Sequence, residues 1–243
     1  MKKIIAILLA AIMCFSLVSC GNKRAFELTQ NAFFEISKSV DILKQISNDI
    51  ISAWTIGIYD ESTLKHYGDG FDWLCENVSL SKDDMLDGLA YYKSLDIQPE
   101  YVEILCDPEL GLYNDYYEYY KEAVRKLYDA YFYGSYAETG LLNIYDKVFT
   151  GCVMLVVYSY EANGKLSEIE QSLASAEAKI KDLSNKHSNY EHYESIKEYY
   201  STARTMYNFC KSPTGTLEQA KSNINNYKNT ADSCYNSMYY FFQ

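Results

Sequence analysis

The sequence predicts an all-α fold, an elongated antiparallel helical bundle with coiled-coil-like packing of long helices. Three observations carry this. Apolar residues recur at alternating three- and four-residue spacings over many heptads, the stripe of a helix that buries one face along its neighbours. The 243 residues include only 3 Pro and 11 Gly, too few for the turn-dense chain of a sandwich or barrel. The breaks between periodic segments are short, and short connections between long helices make antiparallel neighbours.

The first helix is expected over about 22–59. Phe26, Phe33, Val40 and Trp54 form one set of seven-residue positions, with Ser47 as its polar member, and Ile36, Leu43 and Ile50 form the other. At 1.5 Å per residue such a helix is about 57 Å long. Gly57 and Asp60-Glu61-Ser62-Thr63 mark its end, and Gly68-Asp69-Gly70 reads as a turn. Ser81 then reads as an N-cap, with Asp83 and Asp84 in the first turn, where the helix dipole favours carboxylates. Met85, Leu86, Leu89, Tyr92 and Leu95 give a helix over about 82–96.

A helix over about 112–134 follows an acidic stretch bounded by Pro99 and Pro108. It carries tyrosine at extreme density. From Leu141 through Cys152, Leu155, Ser159, Leu166, Ile169 and Leu173 to Leu183 one stripe persists, and its phase survives Asn163-Gly164. One helix over about 140–186, kinked at that pair, is therefore expected. The stripe restarts out of phase as Tyr193, Ile196, Tyr200, Ala203, Tyr207 and Cys210, in a helix over about 190–211. Ser212-Pro213-Thr214-Gly215 stops it. Thr216 and Gln219 open the last helix, about 216–242, as a capping box. Its stripe runs Leu217, Ala220, Ile224, Tyr227, Ala231, Cys234, Met238 and Phe241.

The N-terminus carries a different signal. Met1-Lys2-Lys3 is basic, and residues 4–15 are almost entirely apolar, the length of a secretion-signal core and short for a spanning helix. Leu17-Val18-Ser19-Cys20 follows, with Gly21 after it. This resembles the lipobox of bacterial lipoproteins. The resemblance implies that residues 1–19 are a signal peptide, removed after a diacylglycerol thioether forms on Cys20. Residues 20–21 are then the lipidated N-terminus and 22–243 a single all-helical domain. It also implies an extracytoplasmic location on a bacterial membrane, the cell surface in a Gram-positive organism. Each buried acyl methylene contributes about 0.8 kcal/mol, so the folded part needs no membrane affinity of its own to stay there. Elsewhere, Trp54-Thr55-Ile56-Gly57-Ile58-Tyr59, Tyr190 and Ser212-Pro213-Thr214-Gly215-Thr216-Leu217 are similar to signatures of uncharacterised helical proteins of low-GC Gram-positive bacteria and their prophages. That likeness covers a few short stretches and implies a fold and no activity.

Charge excludes one class of partner. The chain is net −11, and removal of Lys2 and Lys3 leaves 20 Lys+Arg against 33 Asp+Glu, a net −13. Nucleic acid, which needs clustered cations against its phosphates, is not expected. Five cysteines remain beyond Cys14 and Cys20: Cys75, Cys106, Cys152, Cys210 and Cys234. The number is odd and no pair is spaced C-x-x-C, so neither a disulfide framework nor a zinc site is indicated.

Chemistry-bearing motifs are sparse. There is no phosphate loop, no H-E-x-x-H, no G-x-S-x-G and no EF-hand run. His66 lies near Asp69 and Asp72 in a turn-rich segment, and His187 and His192 flank a break. Glu100, Glu103, Asp107 and Glu109 cluster between two prolines. Solvated loops explain all of these. Glu168, Glu170, Glu177 and Asp182, interleaved with Lys165, Lys179, Lys181 and Lys186, read as a salt-bridged exposed face. Residues 153–157 are the most apolar stretch after the signal and read as buried core.

Tyr113, Tyr116, Tyr117, Tyr119 and Tyr120 are too many for one helix face to bury, so some of them are expected to meet solvent or a partner. The expected function is that of a non-enzymatic interaction or structural module of the cell envelope, with no cofactor or metal. It is held to the membrane through Cys20 and faces an envelope protein partner. A ligand- or substrate-binding lipoprotein is the alternative, and a hydrolase working through His66 and nearby carboxylates ranks below both.

Overall fold

In the computed structural model the described residues are 2–59, 74–95 and 148–242, with side chains described over 23–57, 74–91 and 152–242. Among them there is no strand, and apart from the helical residues 74–76 the helices are α1 Lys2–Tyr59, α2 Lys82–Leu95, α3 Val148–Ala162, α4 Lys165–Lys186, α5 Tyr193–Lys211 and α6 Leu217–Tyr239. The protein is an all-α helical bundle. The expected helix over 112–134 lies outside the described residues.

The chain divides into two compact units. One comprises Met1–Leu43, Ile169–Tyr207 and Asn225–Gln243, and the other Lys44–Glu168 and Asn208–Ile224. The stripe of α1 supplies core to each. Ala25, Leu28, Ala32, Phe33, Ile36, Val40 and Leu43 are buried in the first unit, and Ile46, Ile50, Ala53 and Trp54 in the second.

In the first unit the centre is Phe33, fully enclosed. Its ring lies 5.9 Å from that of Tyr199 on α5, 5.3 Å from Tyr235 on α6 and 5.0 Å from Phe242 beyond α6. Aromatic pairs at such spacings are worth about 0.5–1.5 kcal/mol each beyond the area they bury. Around this centre pack Ile169, Leu173, Ala176, Ile180 and Leu183 of α4, Ile196, Ala203, Met206 and Tyr207 of α5, and Ala231, Cys234 and Met238 of α6, all buried. Polar contacts line its margin. Lys179 donates to both carboxylate oxygens of Glu35 at 2.9 Å, and Tyr199 donates to Ser37 Oγ at 3.3 Å.

In the second unit α2 and α3 pack at close range. Gly88 faces Ser159, and a Cβ built on Gly88 falls 2.6 Å from both the Cα and the backbone N of Ser159. Only hydrogen fits there. Ser159 is itself buried and returns its hydroxyl to the Leu155 carbonyl at 2.8 Å, so the small polar residue in the apolar stripe leaves no unmet donor. Val153, Leu155, Val156 and Val157 are buried, as the apolar run 153–157 leads one to expect.

Both sequence-predicted caps are formed. Ser81 Oγ accepts from Asp84 N at 3.1 Å while Asp84 Oδ2 accepts from Ser81 N at 3.2 Å. Thr216 and Gln219 make the same reciprocal pair at 3.3 and 3.0 Å.

Three details differ from the sequence expectation. The segment expected as one helix over 140–186 is two helices over its described part. Gly164, at φ 78°, ends α3, and its carbonyl accepts the first bond of α4 from Glu168 N at 2.9 Å. Asn163 Oδ1 accepts from Lys165 N, and its amide donates to Asp84 Oδ1 at 3.2 Å. The apolar stripe continues although the backbone does not, because the interruption is only two residues long. The last helix stops at Tyr239. The chain then tightens through Phe241 N→Met238 O and Phe242 N→Tyr239 O, which turns Phe242 inward and leaves Phe241, the expected stripe member, 53% exposed. On α5 the fully buried ring is Tyr199, while its neighbour Tyr200 sits at the boundary and donates to Glu177 at 2.9 Å.

The Gly88 contact gives a test of the second unit. Gly88→Ala gains about 1 kcal/mol of helix propensity, but the atoms in its way are backbone and cannot rotate aside. The clash, of the overpacking kind worth about 1–3 kcal/mol, should win, lowering the midpoint of chemical unfolding. Ser159→Gly in the same chain should not restore it, because the obstructing Cα and N remain.

Candidate functional site

Two places gather polar or reactive groups within single units. The first is buried. Asp49, on the inner flank of the α1 stripe, is 3% exposed. Its Oδ1 accepts from both the backbone N and the hydroxyl of Ser79 at 3.0 Å, and its Oδ2 accepts from Tyr160 OH at 2.5 Å. Gln45 Nε2 reaches the same phenol oxygen at 3.5 Å. Three donors on one carboxylate offset the cost of burying it, which is several kcal/mol for an unpaired ion. Burial, the Asp49 hydrogen bond and the Asp49 charge push the Tyr160 phenol far above the usual 10.0. With both oxygens engaged inside the unit, the arrangement locks α1, α3 and the turn at 77–80 together.

The second place is the end of the first unit nearest Cys20. Cys20 belongs to α1, and Lys23 and Arg24 follow it, both exposed. Phe26 meets the Phe242 ring at 5.6 Å. Gln30 donates to the Phe242 carbonyl at 3.4 Å, fixing the chain end against α1. His192 lies 4.1 Å from the Phe241 ring and 5.5 Å from that of Tyr190. Asp182 is paired with Lys186 at 2.6 Å, and that hydrogen bond, aided by the charges of Lys186, Arg24 and His187, holds its carboxyl below the usual range. Phe26, Asn189, Tyr190 and Glu191 line an open recess of about 510 Å³.

The sequence-predicted site residues distribute as follows. Tyr113, Tyr116, Tyr117, Tyr119 and Tyr120 lie outside the described residues, as do His66, Cys106 and the cluster of Glu100, Glu103, Asp107 and Glu109. His187 and His192 fall at the same end of the first unit, each with its own neighbours. Among the described residues no group of three or more His, Cys, Asp or Glu could hold a metal ion. Cys75, Cys152, Cys210 and Cys234 form no disulfide. Burial raises the Cys152 thiol to about 12 and the Cys234 thiol to about 11, from a usual 9.0. The expected salt-bridged face of α4 is partly intrahelical, as in Lys165–Glu168 at 3.1 Å. It is partly interhelical, as in Glu170–Arg204 at 2.9 Å. Among the residues with described side chains, no helix is long and apolar enough to cross a membrane.

Sequence reasoning missed Asp49 and Tyr160. The one available signal was a carboxylate at a stripe-flanking position, between Ser47 and Ile50, where an uncharged residue would pack more readily.

Comparison with known proteins returns no family model, no curated protein and no solved structure that matches the chain.

Removing the Tyr160 hydroxyl takes away one of the three donors to a buried carboxylate. Tyr160→Phe should therefore cost about 1–3 kcal/mol. Alkaline titration supplies a second readout. Tyr160 and Tyr199 both have raised phenols, chiefly through burial, so the folded state keeps protons that the unfolded state releases above about pH 10. Their contribution is complete below that pH and lost as pH rises toward the folded values, at about 1.4 kcal/mol per pH unit and group. The buried thiols start the same decline near pH 9. In Tyr160→Phe the slope of stability against pH above 10 should be shallower by about one group, as read from urea unfolding at a series of pH values.

Proposed function

We propose that this chain is a bacterial lipoprotein, anchored through Cys20 to the extracytoplasmic face of a membrane, whose helical bundle serves as a non-enzymatic interaction or structural module of the cell envelope. The observation that carries the reading is the run Lys2-Lys3, the apolar residues 4–15 and Leu17-Val18-Ser19-Cys20. Each part has its physical role. The basic start sets orientation in the membrane, the apolar run is long enough to engage it, and small Ser19 admits a peptidase next to a thiol that can take diacylglycerol.

The position of Cys20 on the same helix as Phe33 supports the second half of the reading. A helix running from the attachment point into the core transmits position without a flexible spacer. The Tyr-dense segment with Tyr113, Tyr116, Tyr117, Tyr119 and Tyr120 is the partner surface in this reading, because rigid rings with polar tips make contact area at low entropic cost.

In cells fed an alkynyl fatty acid, the full chain should take label and partition with membranes. Cys20→Ala should take no label and should keep its signal segment. Mass spectrometry of the wild-type N-terminal peptide should begin at an acylated Cys20. An unlabelled chain whose N-terminus lies elsewhere sinks the reading. The partner surface is checked separately: replacing Tyr116, Tyr117 and Tyr120 by Ala should abolish partner crosslinking in intact cells without changing the melting temperature.

A further inference from the structure

The end of the first unit beside Cys20 has a composition unlike that of the rest of the chain. Tyr240 is 79% exposed and Phe241 53% exposed. They are held in place rather than trailing. Phe242 is buried against Phe26 and Phe33, and Tyr240 continues a file of rings that runs from Phe33 through Tyr235 and Tyr239, with centroids 5.1–6.0 Å apart. Lys23 and Arg24, both exposed, precede Phe26 on α1, and the charge of Arg24 acts on the Asp182 carboxylate that pairs with Lys186, whose side chain is 66% exposed. The carboxylates of Glu27, Asp182 and Glu191 offset them. This end is thus close to neutral in a chain that carries a net −13 after Cys20.

We infer that this aromatic end, with its exposed Lys23 and Arg24, is a second membrane contact, which seats on the headgroup layer of an anionic bilayer beside the Cys20 lipid. The inference rests on the lipoprotein reading above. Three observations select a lipid surface as the occupant. First, reach: Phe26 is six residues beyond Cys20 on one helix, about 9 Å along its axis, and the headgroup layer is about 5–8 Å deep. Second, chemistry: Tyr and Phe rings beside Lys and Arg with long stems are the residue types that settle at a bilayer interface. Third, charge: an anionic surface repels a chain that is net −13 beyond Cys20, whereas the cations and carboxylates named at this end balance. The recess lined by Phe26, Asn189, Tyr190 and Glu191 leaves room for a headgroup between the α4–α5 loop and α1.

The test uses the full, lipidated chain in cells, with the photocrosslinker p-benzoylphenylalanine placed at position 240, 241 or 34. Phe34 is the internal control. It is 50% exposed in the same unit, but 14 residues beyond Cys20, about 21 Å along the helix. Irradiation should give phospholipid adducts at 240 and 241 and none at 34. Lys23→Glu and Arg24→Glu should each lower the adduct yield about fivefold, in cells and in vesicles of phosphatidylcholine with phosphatidylglycerol. In vesicles of phosphatidylcholine alone the charge changes should have little effect. Fatty-acid labelling of Cys20 is read on the same samples. Labelled protein without lipid adducts at 240 and 241 overturns the second contact and leaves the anchor standing. Adducts to a protein at those positions overturn it in favour of a protein-covered surface. Failure of Cys20 to take label overturns both.

Discussion

Among the described residues, the core of each unit draws on the apolar face of α1. Its stripe must be satisfied in both units, as must those of α5 and α6, and its sequence sets what can pack there. Phe33 demands partners on α5 and α6. Small Ala32 and Ala53 allow close approach, and Ile36, Val40, Leu43, Ile46 and Ile50 present the branched surface between them. The polar members of the face are tolerated because each is answered locally or by a specific partner. Thr29 and Ser39 donate to the carbonyls four residues back at 2.8 and 2.9 Å, and Ser47 to that of Lys44 at 3.0 Å. Asp49 has no such local answer. It needs Ser79 and Tyr160, and sliding α1 by one turn strands it. A hydrophobic stripe alone is permissive about register, since one turn up or down still buries apolar area. One buried carboxylate with three donors is not permissive, and this is the use of buried polar groups best attested elsewhere.

The same accounting explains the tyrosines. Where Tyr is buried among the described residues its ring fills core and its tip finds a partner: Tyr160 on Asp49, Tyr199 on Ser37. At the boundary the tip of Tyr200 reaches the charged Glu177, and the buried Tyr207 ring lies beneath the Arg204 guanidinium at 5.3 Å. Tyrosine here takes the place of Leu in the core and of a polar residue at the rim. Tyr240 is the exception. Its ring is largely bare, and it lies at the end of the chain that packs beside Phe26.

How much of this was legible in the sequence follows from how local each feature is. The helix stripes were, because a three–four rhythm is a one-dimensional property of the chain. The Ser81 N-cap and the Thr216–Gln219 capping box were, because such partners lie within one turn of each other. Backbone continuity at Asn163-Gly164 was not, since a stripe can keep phase across a two-residue interruption, and only the left-handed Gly164 distinguishes a turn from a kink. The exchange of Phe241 for Phe242 was hidden because it depends on where α6 frays. Asp49–Tyr160 and Glu35–Lys179 join residues more than a hundred positions apart, and no pattern in one sequence connects them. Of the candidate site, Cys20 was legible as a motif. The grouping of Phe26, Tyr190, His192 and Phe241 at one end was not, because it is made by α1, the α4–α5 loop and the segment beyond α6 returning to the same place.

A lipid anchor by itself fixes where a protein is and says little about how it is oriented. With Cys20 acylated, as proposed, the residues within a few ångströms of the bilayer experience it at very high effective concentration. Contacts there need not be strong, because the acyl chains already supply the binding free energy. An aromatic pair and two or three cations, worth about 1 kcal/mol each near an anionic surface, then suffice to bias one orientation over free tumbling. The stiffness of α1 decides whether that bias reaches the rest of the molecule. A flexible linker after Cys20 would absorb it. A helix that continues from Cys20 to Phe33 without a break, and is gripped there by Tyr199, Tyr235 and Phe242, passes it on to the core of the first unit.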